Sequence, residues 1–106
     1  MVLSSTPSIP EKKILLTIGP VFGEVTEGVS MLKDLGASFM DAFGGRARGL
    51  EEAIIKARTE AIEEMKERAN EMGANAIVGV KMDYETFGQT SSMLLIVASG
   101  TAVVVE

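Results

Sequence analysis

The sequence predicts an α+β domain in which a small, mostly antiparallel sheet packs on one long helix. Three observations carry that prediction. A helical stripe runs from about Gly49 to Met72, bracketed by glycines. A short β-rich run begins at Ile14, and the final stretch from Ser92 to Val105 is apolar almost throughout. The 106 residues suffice for a single domain spanning 1–106. Apolar residues make up 46% of the chain and charged residues 24%, which is globular composition.

Residues 1–12 read as a loosely held arm of Ser, Thr and Pro. Ile14 to Ile18 is β-rich and too short for a helix. Gly19-Pro20 breaks or bends that strand, and Val21 to Val29 continues it with alternation. A first helix is expected over Met31–Phe43, with Leu32, Leu35, Phe39 and Phe43 on one face and Ser30 as its N-cap.

The second helix is the stronger one. Leu50, Ala53, Ile54, Ala57, Ala61, Met65 and Met72 form one apolar stripe at helical spacing. Glu51 and Glu52 stand in the first turn and Arg68 near the end, matching the helix dipole. Gly73 is placed to close the helix in a left-handed conformation. Ala76 to Glu85 then reads as a strand, 86–91 as a turn, and Ser92 to Val105 as a long last strand. That last strand shows no polar alternation, so both of its faces must be covered. In so short a chain the natural cover is another copy of itself, and a homo-oligomer is expected.

Composition removes whole classes of chemistry. The chain has no cysteine and no histidine. Disulfides, Cys/His zinc sites and Ser-His-Asp or Cys-His catalysis are therefore excluded. Any metal would rest on carboxylate, amide or carbonyl oxygen, which suits Mg²⁺ or Ca²⁺. The methionines, at helical and strand spacing, read as core filler, so no metal ligand is assigned and no cofactor is named. A net charge of −5 with no long basic stripe argues against nucleic acid. No membrane span or leader is visible, and a cytoplasmic setting is expected.

Six residues are candidate ligand contacts: Asp34, Gly44, Gly45, Arg46, Arg48 and Asn75. The Gly44–Gly49 loop opens a helix and carries two arginines, so backbone N–H groups and a guanidinium can hold a small anion there. The plainer reading is that the glycines permit a sharp helix–helix turn and Arg46 pairs with an acid across a subunit boundary, since structural ion pairs outnumber functional sites. Asp34 and Asp41 lie two turns apart on one face, as a cation pair or a solvated face. Asp83 and Glu85 share a strand face. Asn75 either offers its amide to a ligand or fixes the local turn.

Taken in order, several fragments resemble the YbjQ family. They are Gly19-Pro20-Val21-Phe22-Gly23, Lys33-Asp34, Gly44-Gly45-Arg46, Ala57-Arg58, the run Gly73 to Val80, and Gly100-Thr101-Ala102-Val103. The resemblance covers the chain from about Ile9 onward. It implies a β-α-β-β type subunit, a ring of five such subunits, and a heavy-metal-binding label with little established function. Three readings follow. The first is a non-enzymatic ring binding a small ligand or a protein at its junctions. The second is an enzyme built on Asp, Glu and Arg, or a Mg²⁺/Ca²⁺-binding protein, and the third is a purely structural subunit.

Overall fold

The computed structural model describes residues 1–28, 48–87 and 93–106. Strand β1 (Val2–Leu3) is followed by β2 (Ile14–Gly28), helix α1 (Arg48–Glu71), β3 (Ala76–Phe87) and β4 (Met93–Val105). The fold is α+β, with one four-stranded mixed sheet in the order β1-β3-β4-β2. The helix expected over Met31–Phe43, the tip of the turn at 88–91, and Asp34, Asp41, Gly44, Gly45 and Arg46 lie outside the described residues.

Strand β2 pairs antiparallel with β4 along its whole length, from Ile14 opposite Val105 to Gly28 opposite Met93. Gly19-Pro20 bends the strand without ending it: the register shifts between Thr17 and Gly19 and then resumes with Pro20 opposite Thr101. An edge position, which β2 holds, is where a strand tolerates proline's missing N–H. Strand β3 runs on to Phe87, two residues past the expected end, because Thr86 and Phe87 still find partners in Leu94 and Met93.

Helix α1 begins and ends within a residue of expectation. Its closure is a Schellman motif: Gly73 has φ +92, its N–H donates to the carbonyl of Asn70, and the Ala74 N–H donates to that of Ala69. The buried stripe is Ala57, Ala61, Met65 and Ala69, at four-residue spacing. Met72, expected in that stripe, is 40% exposed. It stands beyond the last helical residue, where the chain has already begun its turn, and Ala69 takes the inward place.

Small side chains on this stripe let the helix settle close to the sheet. Gly23 is the point of closest approach, where a Cβ would stand 1.9 Å from the Ala61 carbonyl oxygen. Around it the core gathers Val21, Ile77, Ile96, Ala98 and Ala102 under the helix. These β4 residues are the even-numbered ones, and the odd-numbered ones face the other way.

The opposite face is partly covered by the chain's own beginning. Ala76, Val78, Val103 and Val105 form a second apolar cluster, against which Ile9 and Ile14 pack. Val2 and Leu3 pair in parallel with Ala76 and Ile77. Further along, the Ser4 N–H donates to the Ile77 carbonyl, while the Gly79 and Val80 N–H groups donate to the carbonyls of Thr6 and Ser4. The arm that composition makes loose is thus tied to the sheet. Polar side chains concealed this, since the tie is made by backbone groups and by the partly buried Leu3 and Ile9. It also revises the argument from β4: one end of its second face is covered from within the subunit.

Candidate functional site

Asn75 is the candidate whose surroundings are fully described. It follows the helix closure and precedes β3, and its carboxamide turns toward the last strand. Its Nδ2–H donates to the Val105 carbonyl at 2.9 Å, and its Oδ1 accepts from the Val105 N–H at 2.7 Å. Its own N–H donates to Val103 O and its carbonyl accepts from Val2 N–H. The side chain therefore extends the β3–β4 ladder by one rung. That is the turn-fixing arrangement, and it engages one donor and one acceptor of the amide inside the subunit. Arg48 is the first residue of α1. Convergence of Asp34, the Gly44–Arg46 loop and Asn75 on one pocket involves residues outside those described.

Two of the concavities among the described residues lie toward opposite ends of the sheet face turned away from the helix. One, of about 380 Å³, lies toward the far end of β3 and β4, where Asp83 and Glu85 stand opposite Val97 and Leu95. Asp83 lies 3.6 Å from the Lys81 ammonium, and both carboxylates are exposed. The other, of about 320 Å³, opens between the N-terminal arm and the sheet, with Ser5 and Pro7 on one side and Thr17, Thr101 and Val103 on the other.

A third feature escaped the sequence. Arg68 leaves the helix and reaches the sheet's edge, donating Nη1–H to the Phe22 carbonyl at 2.9 Å and to Glu24 Oε2 at 2.7 Å. Its Nη2 pairs with Glu64 one turn back. The hydrogen bond to Glu24 raises the guanidinium pKa above its ordinary value, against an opposing effect of burial and with the charges of Glu24 and Glu64 adding to it. The Glu64 partner was legible from helical spacing; the Phe22 and Glu24 partners are more than forty residues away, and no local pattern signals them.

Among the described residues no side-chain polar group is buried without a partner, and no group of three or more Asp or Glu residues clusters to hold a cation. No helix among them is long and apolar enough to cross a membrane. A family model, YbjQ, described as "Putative heavy-metal-binding", matches residues 1–106. The chain belongs to the YbjQ family. Relatives named UPF0145 protein include one from Clostridium kluyveri, 51% identical with both chains fully covered. Another, from Listeria ivanovii, is 49% identical over all of this chain and 96% of its own. The fold is similar to that of a DUF74-family protein of unknown function from Pediococcus pentosaceus, with TM-score 0.66 and 15% identity over 100% of this chain and 98% of that one.

The family description and this chain's donor set disagree. Soft metals favour thiolate, imidazole or clustered thioether ligands. Cysteine and histidine are absent, and of the methionines Met65 is fully buried in the core while Met1 and Met72 are exposed. The described residues thus offer a heavy metal no thiolate and no imidazole.

Proposed function

We propose that this YbjQ-family chain is a non-enzymatic subunit of a homo-oligomeric ring that binds a small ligand or a protein partner at its subunit junctions. The carrying observation is apolar surface that a lone subunit leaves in water on an edge strand. Leu15, Leu16 and Phe22 of β2 are 56%, 57% and 46% exposed. A long edge strand with such side chains is a liability for a monomer and a joint for an oligomer. Covering a leucine completely is worth about 1.5–3 kcal/mol, so the half-exposed Leu15 and Leu16 together offer on the order of 2 kcal/mol per junction.

A count of five rests on the family resemblance alone. The small ligand in this proposal is an anion at the Gly44–Gly49 loop, where Arg46 and Arg48 supply charge in an otherwise acidic chain. Nucleic acid and membrane have no part in it, and the setting proposed is the cytoplasm. Native mass spectrometry of the purified full chain, without added metal or chelator, tests it. A closed species near five subunits with a reproducible extra mass supports the binding ring. A ring without added mass removes the ligand and leaves a structural subunit, and a monomer overturns the proposal.

A further inference from the structure

The outer edge of β3 falls into two parts. Along the first, the chain's own arm lies as an added strand. Val2 and Leu3 pair in parallel with Ala76 and Ile77, and the Gly79 and Val80 N–H groups donate to the carbonyls of Thr6 and Ser4. Beyond Val80 the arm departs. Among the described residues nothing pairs with the outer edge of Lys81–Phe87, although β4 pairs with each of these residues on the inner side. Antiparallel pairing turns the N–H and C=O groups of alternate residues outward, so this segment offers main-chain donors and acceptors to a further strand.

The two faces of that edge differ. Asp83 and Glu85 stand opposite Val97 and Leu95, on the face turned away from the helix, where they rim the cleft of about 380 Å³. Tyr84 stands opposite the buried Ile96 and so lies on the other face, where it is 45% exposed. Cations already bear on part of the acidic face. Lys81 lies 3.6 Å from Asp83 in an exposed pair, which is weak and readily exchanged. Glu24, across β4 from Asp83, is held by Arg68. Glu85 has no ion-pair partner among the described residues and is exposed. The cleft is left net negative over an apolar floor.

We infer that the Lys81–Phe87 edge takes an extended peptide of another protein as an added strand, with basic side chains at alternate positions and apolar ones between. Main-chain hydrogen bonds hold such a strand, and its alternate side chains give specificity. The two-residue period places successive basic side chains beside Asp83 and Glu85. Their alkyl stems lie over Val97 and Leu95 while their heads meet the carboxylates. The residue between them falls on the other face, beside Tyr84. Charged side chains guard an edge against most strands. Here they repel an acidic strand and favour a basic one, so charge selects the occupant. This rests on the partner-binding reading above and gives that partner its chemistry, but it asks nothing of the number of subunits.

Fluorescence anisotropy on the full-length chain tests this with a short labelled peptide in which lysine alternates with valine. Saturable binding is expected. A peptide of the same composition with its lysines grouped together should bind about tenfold more weakly, because it keeps the charge and loses the alternation. The alternating peptide N-methylated along its backbone should also lose about tenfold or more, because its main-chain donors are gone. Asp83→Asn with Glu85→Gln, both exposed and checked for folding by circular dichroism, should weaken the alternating peptide by a similar factor. No saturable binding, or binding unchanged in the double variant, overturns the inference. Binding that survives methylation or grouping overturns it too, since the surface then attracts charge without adding a strand. If the double variant changes the mass of the peptide-free protein in sedimentation velocity, a second copy holds this edge and the peptide has no place there. A monomeric wild type that still binds the peptide defeats the oligomeric reading alone, which is a different failure.

Discussion

Gly23 and Asn75 carry the most consequential single-residue contacts. A methyl group at Gly23 meets the Ala61 carbonyl oxygen at 1.9 Å and the Met65 backbone nitrogen at 2.7 Å, both helix backbone atoms that cannot swing aside. Gly23→Ala must push α1 off the sheet, and a loss of about 1–3 kcal/mol is expected, read as a lower urea midpoint with an unchanged slope. Asn75→Ala strands the Val105 N–H and carbonyl that the amide now satisfies. It should cost about 1–3 kcal/mol, and faster hydrogen exchange at Val105 is its specific signature. Asn75→Asp keeps the acceptor and loses the donor, so it should fall between. Asn at the turn was legible from its place after a helix-closing glycine. Gly23's role was not, since its partner lies thirty-eight positions away across the core.

At the scale of elements, α1 and β2 are held by Arg68 as well as by packing. The arginine's folded-state pKa is raised, so what it contributes is complete below the ordinary arginine range and is lost only as pH climbs through the raised value. Arg68→Met should therefore carry the same small stability penalty at about pH 7 and about pH 9. Its larger effect should be on the edge: with the Phe22 carbonyl uncapped, light scattering on warming should rise sooner than in the wild type. Helix α1 was readable from end to end because its stripe, first-turn acids and closing glycine all agree. The bend at Gly19-Pro20 was readable as well, for proline and glycine punctuate a strand locally. The N-terminal arm misled, since its attachment is made by backbone hydrogen bonds to β3 that side-chain composition does not encode. Removing residues 1–9 should break the backbone bonds to β3 and take Ile9 off the cluster of Ala76, Val78, Val103 and Val105, lowering the melting temperature by several degrees.

For the whole molecule, the apolar character of β4 announced that both faces need cover. The helix covers one face, the arm covers one end of the other, and the cleft beside Asp83 and Glu85 remains open among the described residues. The partition between internal and external cover depends on how a polar arm folds back over more than seventy residues of sequence, which pattern alone does not resolve. What remains exposed, Leu15, Leu16 and Phe22 on an edge strand, is the basis for reading the chain as one part of a larger assembly. The candidate anion loop at Gly44–Arg48 and the acid at Asp34 belong to that assembly's proposed junctions, and their test follows once its size is known.

Sedimentation equilibrium on the wild-type chain beside Leu15→Asp/Leu16→Asp addresses this most directly. The account predicts a wild-type mass several times that of one subunit, with five as the number the family resemblance implies, and a folded double variant that falls to the monomer mass. A monomeric wild type, or a variant that assembles as before, would contradict it.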